Sequence, residues 1–132
     1  MPILSALLLA AAPPAPPAIP ADSATLIVYR AYAEPILFAP TLMIDGDAFG
    51  SLGQKRLLAF ALSPGKHRVQ AIWPAFSAQR SSELEIVVRP GQQAYIELRA
   101  AAGFMRRKGV SALVEQDPAT GAAAISCCRP PR

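Results

Sequence analysis

The chain has 132 residues and a formal net charge of +4, with 52% apolar and 17% charged residues. This length allows one domain and leaves too little chain for a second core. The charge is too low for a disordered polyelectrolyte, and the apolar fraction is large enough to build a core.

The first 20 residues contain no charged side chain and divide into an apolar run, residues 3–12, and a Pro/Ala run, residues 13–20. A membrane-spanning helix needs roughly 20 apolar residues, so the apolar run predicts no span. Its length suits the apolar part of a secretory signal peptide, about 7–15 residues. We expect a signal-peptide-like leader and linker over residues 1–21, and a periplasmic or secreted bacterial protein. The alternative is an uncleaved leader on a cytoplasmic protein.

Beyond the leader, short runs alternate apolar and polar residues. In residues 83–88, Leu84, Ile86 and Val88 share one face and two glutamates share the other. Such alternation is typical of half-buried strands. The pattern predicts strands over 24–30, 40–45, 47–52, 57–62, 67–73, 82–89, 93–99 and 111–115.

Strands spaced about ten residues apart, without a long run of helical period, favour an all-β fold. We predict an antiparallel β-sandwich of about 7–8 strands, immunoglobulin- or transthyretin-like, over residues 22–120. Residues 121–132 are expected as a C-terminal strand or a flexible tail. The predicted core consists of Leu26, Val28, Ile44, Phe60, Val69, Trp73, Leu84, Ile86, Ile96, Leu98 and Leu113.

Turn residues separate the predicted strands. Proline presets φ and glycine accepts positive φ, so Asp-Gly and Pro-Gly pairs indicate tight turns. Thr120-Gly121 is also placed in a turn-like context. The residues assigned to turns and bends are Asp45, Gly46, Gly50, Pro64, Gly65, Pro90 and Gly91.

The hairpin Met43-Ile44-Asp45-Gly46, the following Gly50 and the turn Pro64-Gly65-Lys66-His67 stand in a recurring order. This order resembles an uncharacterised, lipoprotein-type family of small bacterial envelope proteins, and it is similar to PEGA-type surface modules. The resemblance covers residues 24–115 and implies a secreted or membrane-anchored β-sandwich without known catalysis. No cysteine precedes Cys127, so a lipid anchor on a cysteine after the leader is not supported.

His67 is the single histidine, and a small hydrolase would need it beside a serine and either Asp45 or Asp47. A turn followed by a strand explains His67 without catalysis. The two aspartates lack the six or more oxygens of a calcium site, and Cys127 and Cys128 lack zinc spacing. We therefore expect no catalytic residue, no metal and no cofactor.

Three cations and two large apolar residues stand together between Gly103 and Gly109. They are Phe104, Met105, Arg106, Arg107 and Lys108. Such a loop is a candidate for contact with anionic lipid headgroups or acidic polymers, and a solvated hairpin loop is the alternative. We expect no nucleic-acid binding, because the chain has no recognition helix, stacking aromatics or long basic stripe.

Cys127 and Cys128 are adjacent, and thiols seldom stay free in an oxidising compartment. Three interpretations of this pair remain open: a disulfide between the two neighbours, disulfides to another chain, or a flexible tail in which the cysteines have no structural role. Overall we expect a non-catalytic envelope module that binds or scaffolds an unknown protein or polymer. The alternatives are the hydrolase and a self-assembling or disulfide-linked surface protein.

Overall fold

A computed structural model describes residues 22–130, and the predicted leader over 1–21 lies outside them. Helix α1, with 7 residues, is too short to cross a bilayer, and no helix of the described part is long and apolar enough. The elements are β1 Ala24–Arg30, β2 Thr41–Ile44, β3 Asp47–Ser51, β4 Arg56–Leu62, β5 Gly65–Ile72, β6 Ser82–Val88, β7 Gln93–Ala101, β8 Val110–Gln116, α1 Pro118–Ala124, and 3-10 turns Ala75–Ser77 and Ile125–Cys127.

The strands form two four-stranded sheets, which confirms the predicted all-β sandwich. Sheet I has the order β4-β1-β7-β8, and sheet II has the order β3-β2-β5-β6. The strand pairs are antiparallel except β1 and β7, which run parallel. This parallel pair brings the end of β1 and the end of β7 to the same end of the sandwich.

The core lies between the sheets, where the alternating apolar positions of both sheets face each other. Leu26, Val28, Val69 and Leu98 are fully buried there, as their alternation predicts. Of the predicted core residues, Phe60 and Leu84 are only partly buried and pack against its margin.

The outer face of sheet I carries a second apolar cluster, formed by buried Ile27, Tyr29 and Tyr95. Helix α1 covers this cluster, and Gly121 lies so close to the Tyr95 ring that an added Cβ would overlap it. Asp117 caps the helix by accepting from the Thr120 backbone N–H at 2.7 Å, and Pro118 follows at the first helical position.

The expected strand or flexible tail over 121–132 is therefore corrected for the residues that the structure describes. Residues 121–124 are helical and 125–127 form a 3-10 turn. Thr120-Gly121 lies inside α1 rather than in a turn. The physical reason is the cluster beneath, because burial of Ala124 and Ile125 against it stabilises a helix that is too short to persist alone.

After α1 the chain returns along the edge of sheet I. The Arg129 N–H donates to the Lys55 carbonyl at 3.0 Å, and the Leu57 N–H donates to the Arg129 carbonyl at 2.9 Å. These bonds cover the start of edge strand β4, whose unpaired backbone groups would otherwise invite pairing with another chain.

Candidate functional site

Four loops meet at one end of the sandwich, which we call the loop end. The strand register places them there, because Arg30 pairs with Arg56, and Thr41 pairs with both Ser51 and Ile72. Ala101 and Val110 close the fourth loop beside them. The loops are residues 31–40, 52–55, 73–81 and 102–109.

Arg30 ties two of these loops to β1. Its side chain is fully buried, and the guanidinium donates to the carbonyls of Ala33 at 2.7 Å and Leu52 at 3.0 Å. It also donates to the carbonyls of Phe38 and Pro35, both at 2.8 Å. The Arg30 Cζ lies 5.1 Å from the centroid of the Trp73 ring. Burial lowers the pKa of Arg30, but an arginine keeps its charge in proteins.

The other two loops are bonded to each other at their bases. The Gly109 N–H donates to the Ala78 carbonyl at 2.8 Å, and the Arg80 N–H donates to the Gly109 carbonyl at 3.1 Å. Buried Gln79 donates through Nε2 to the Val110 carbonyl at 2.6 Å. A side chain at Gly109 would overlap Gln79, so only glycine permits this close approach.

The loops 31–40 and 102–109 are joined as well. The Glu34 N–H donates to the Ala100 carbonyl at 3.0 Å, and the Ala102 N–H donates to Glu34 Oε1 at 3.3 Å. The rings of Phe38 and Phe76 meet edge to face at 5.2 Å between centroids. The four loops therefore form one interlocked surface whose bases are fixed by backbone bonds.

Large apolar side chains project from this surface. The exposed fraction is 91% for Leu37, 78% for Phe76, 77% for Phe104 and 88% for Met105. Of the ten large exposed hydrophobic residues in the described part, six lie in these loops. Those six are Tyr32, Ile36, Leu37, Phe76, Phe104 and Met105.

Charge is distributed unevenly between the two ends of the sandwich. The loops of the loop end carry five basic side chains and one acidic side chain: Lys55, Arg80, Arg106, Arg107, Lys108 and Glu34. The opposite end has Asp45 and Arg89 in its loops, with Asp22 and Asp117 beside them. The loop end thus combines exposed apolar groups with an excess of positive charge.

The predicted contact residues Phe104, Met105, Arg106, Arg107 and Lys108 all lie at the loop end, and all are exposed. Sequence reasoning missed the other contributors, which come from distant segments of the chain. Leu37 and Phe76 each follow a loop proline by two residues, but this pattern does not by itself indicate a shared surface.

The predicted turn residues, apart from Gly50, lie at the opposite end. Asp45 (φ 52°) and Gly46 (φ 87°) connect β2 and β3, and two positive φ values identify a type I′ hairpin turn. Gly50 (φ 143°) lies in β3 opposite Leu42, where the register shifts by a β-bulge. Pro64 lies in the connection from β4 to β5, Gly65 is the first residue of β5, and Pro90 and Gly91 join β6 to β7.

His67 and Asp45 form a hydrogen-bonded pair at the opposite end. Nδ1 of His67 lies 2.5 Å from Asp45 Oδ2, and Nε2 lies 2.6 Å from the Ser63 carbonyl oxygen. Asp45 Oδ1 accepts from the Arg68 N–H at 2.9 Å. Because a carboxylate and a carbonyl only accept, both ring nitrogens donate when His67 is protonated.

The pKa values of this pair shift in opposite directions. Burial lowers the pKa of His67 most strongly, but the hydrogen bonds to Asp45 and Ser63 outweigh it and the net shift is upward from 6.5. The pKa of Asp45 falls below 3.8, chiefly through the Arg68 N–H and then through His67. The pair is therefore an ion pair over the interval between these values.

This geometry does not provide a serine-type catalytic triad. A triad needs a ring nitrogen of the histidine on a nucleophilic hydroxyl, whereas Nε2 of His67 is bonded to the backbone carbonyl of Ser63. Asp47 takes no part in the hydrogen bonds of His67. Among residues 22–130, no group of three His, Cys, Asp or Glu side chains is placed to hold a metal ion.

Replacing His67 with Leu is expected to destabilise the domain by about 1–3 kcal/mol between pH 3.8 and pH 6.5, where the ion pair is complete. A raised folded pKa gives stability that is fully present below the unfolded pKa and is lost as pH rises through the folded value. The lowered Asp45 pKa gives stability present above 3.8 and lost as pH falls through the folded value.

The destabilisation by His67→Leu should thus be largest between pH 3.8 and pH 6.5 and shrink at alkaline pH. Urea denaturation of both proteins across this range measures it. The matched control is Lys66→Leu, at a neighbouring exposed position. An equal His67→Leu effect at acidic and alkaline pH would contradict the ion pair.

Cys127 and Cys128 are joined to each other by a disulfide. Cys128 packs against the second apolar cluster, and its Sγ lies 3.6 Å from the Arg30 carbonyl oxygen. The pair therefore lies where the C-terminal segment passes the end of β1. This arrangement leaves neither cysteine for a bond to another chain.

Without reductant, the purified protein is expected to run as a monomer on a denaturing gel. Its intact mass should rise on reduction by the mass of the hydrogens that the two thiols regain. A double variant, Cys127→Ser with Cys128→Ser, supplies the control, since its mass must not respond to reductant. A disulfide-linked dimer in the wild-type protein would contradict the intramolecular bond.

Comparison of the chain with protein-family models and with curated proteins finds no match to either. The resemblance to PEGA-type modules therefore stays an expectation from the turn residues. The loop end and the His67–Asp45 pair must be interpreted from their own chemistry.

Proposed function

We propose that this chain is a non-catalytic binding module of the bacterial cell envelope that contacts its partner through the loop end. The observation that carries the proposal is the concentration of exposed apolar and basic side chains on four interlocked loops. Exposed apolar patches on a soluble domain commonly mark interaction sites. The hydrolase alternative would need His67 and Asp45 for catalysis, whereas in the structure these two side chains are hydrogen-bonded to each other.

Two features support placement outside the cytoplasm. The uncharged run over residues 3–12 has the length of a signal-peptide core. The bond between Cys127 and Cys128 suits an oxidising compartment. Mass spectrometry of the protein from fractionated cells tests this placement, since an intact Met1 in the cytosolic fraction would contradict export.

Site-specific photo-cross-linking in intact cells tests the binding surface. A photoreactive side chain at Leu37 or Phe104 should give adducts with envelope components, because both residues project from the loop end. The same group at Phe49 or Val87, which are exposed on the strands of sheet II, is the matched control. Equal adduct yields at all four positions would contradict a binding surface at the loop end.

A further inference from the structure

We infer that the partner of the loop end is the surface of a lipid bilayer that contains anionic headgroups. This inference rests on the proposed function, because it names the partner class of the same surface. The first observation is the chemistry of the 102–109 loop. Its tip exposes Phe104 and Met105 directly before Arg106, Arg107 and Lys108.

This pairing of side chains matches the layers of a bilayer surface. Apolar groups gain free energy by entering the boundary between headgroups and acyl chains, and binding grows with the apolar area that is buried. Basic side chains are attracted to the anionic headgroups at the bilayer surface. Leu37 and Phe76 add apolar contacts from two further loops, so the insertion surface does not depend on one loop.

The shape and charge of the loop end favour a bilayer over a second copy of the chain. The four most exposed apolar side chains of the loop end have exposed fractions of 77–91%. Side chains that protrude in this way suit a deformable partner such as a bilayer better than a rigid, preformed pocket. A symmetric dimer through this end would bring the five basic side chains of each copy together, and among the described residues of the four loops only Glu34 offers an opposing charge. Like charges in contact oppose such pairing.

The bases of the loops are held rigidly enough to present these tips together. Arg30 fixes loop 31–40 through three carbonyls, and Gly109 fixes loop 102–109 to loop 73–81. Binding therefore does not require ordering of the whole surface. A loop whose backbone is already ordered loses less conformational freedom on association.

The test measures co-sedimentation of the full chain with phosphatidylcholine vesicles and with vesicles in which part of that lipid is replaced by phosphatidylglycerol. We expect binding to the anionic vesicles, weakened by added salt. A triple variant, Arg106→Gln, Arg107→Gln and Lys108→Gln, should lower the partition coefficient roughly 100-fold, about fivefold for each cation.

The matched control is a second triple variant, Lys66→Gln, Arg68→Gln and Arg89→Gln. It removes the same number of positive charges, but from β5 and from the turn after β6, at the end of the sandwich opposite the loop end. All of these side chains are exposed, and the leader is the same in both triple variants. Binding to anionic vesicles should stay within a few-fold of wild type in this control. Equal losses in the two triple variants would overturn the inference, because net charge alone would then explain the binding.

Insertion of the apolar tips has its own readout. The variant Phe104→Trp should show a blue-shifted emission when anionic vesicles are added, whereas Val87→Trp on the sheet surface should not. The single native tryptophan, Trp73, is buried in the core, so its contribution stays constant. An unshifted Phe104→Trp spectrum with vesicle-bound protein would overturn insertion at the loop end.

A soluble acidic polymer separates failure of this inference from failure of the proposed function. If polyglutamate binds through Arg106, Arg107 and Lys108 while anionic vesicles do not, the bilayer is the wrong partner and the binding surface stands. If photo-cross-linking from Leu37 and Phe104 also gives no excess over the sheet positions, the proposed function itself fails.

Discussion

Replacing Arg30 with Met is expected to lower the free energy of unfolding by about 3–4 kcal/mol. The substitution keeps an unbranched side chain in the buried site and removes every donor. Four backbone carbonyls, from Ala33, Pro35, Phe38 and Leu52, would then lose the donor that they share. A buried acceptor without a partner costs about 1–3 kcal/mol, and part of this cost is recovered where water enters.

Two variants separate the hydrogen bonds from the charge. Arg30→Lys keeps a cation but has no planar fork, so it can reach only some of the four carbonyls and should fall between wild type and Arg30→Met. Arg99→Met is the matched control, because the Arg99 side chain is 58% exposed and donates to Glu97 at the surface. It should change stability by no more than about 0.5 kcal/mol.

Arg30→Met should loosen the loops tied to Arg30 more than it loosens the rest of the domain. Amide hydrogen exchange is expected to accelerate first at Ala33 and Leu52, whose N–H groups bond to Gln54 and Pro40 within the tied loops. Chemical denaturation measures the global loss, and exchange measures its location. A variant as stable as wild type, with slow exchange at both amides, would contradict the role given to Arg30.

The strands could be predicted because their signal is local. Alternation in residues 83–88 predicts a strand whatever the rest of the chain does, and β6 is observed at Ser82–Val88. The inward positions follow from the same alternation, which explains why Ile86 was placed correctly in the core and why Val88, on the same face, is buried as well. The pairing of the strands could not be predicted in this way, because no local sequence pattern indicates that β1 lies parallel to β7.

Arg30 shows what local patterns cannot reveal. An arginine at the end of the apolar run 26–29 would ordinarily face solvent. Its carbonyl partners stand 3, 5, 8 and 22 residues further along the chain, in loops without any period. Only the folded arrangement brings them around one guanidinium.

The loop end was only partly predictable for the same reason. Residues 104–108 could be predicted as a contact loop because their apolar and basic side chains are consecutive in the sequence. Leu37 and Phe76 join them only because the strand order brings three separate loops to one end. A single apolar residue in a loop carries no such information, since exposed apolar residues are common on protein surfaces.

Helix α1 was missed because its seven residues are too few to display a helical period. Gly121 in its middle also lowers the intrinsic helix preference by about 1 kcal/mol relative to alanine. The usable signal was Asp117-Pro118, a capping residue followed by a proline at the first helical position. The helix depends on its packing against the cluster that contains Tyr95, a residue distant in sequence whose ring lies directly against Gly121.

That contact leads to the second large effect: Gly121→Leu is expected to destabilise the domain by about 2–3 kcal/mol. Leucine is a better helix former than glycine, so helix preference alone would predict stabilisation. The added side chain would overlap the Tyr95 ring, which forces α1 away from the cluster of Ile27, Tyr29 and Tyr95. Thermal or urea denaturation measures the net result.

The control is Ala122→Leu, one position along the same helix, where the side chain is exposed. It should leave stability within about 0.5 kcal/mol of wild type. Gly121→Leu, but not Ala122→Leu, should also make the domain more susceptible to proteolysis in the segment after α1. The reason is that displacement of the helix releases this segment, which Cys128 holds near Arg30. A stabilised Gly121→Leu protein would show that α1 does not rest on sheet I.

A double-mutant cycle with Tyr95→Ala decides whether the clash is the cause. Truncating the ring removes the atoms that a side chain at Gly121 would meet, so Gly121→Leu should cost less in the Tyr95→Ala background than alone. The expected coupling is about 1–2 kcal/mol, in the range found for residues in direct contact. Additive effects would place the cause in the helix itself rather than in its contact with the sheet. A double variant less destabilised than the sum of the two single variants would instead identify the Gly121–Tyr95 contact as the reason a glycine stands inside so short a helix.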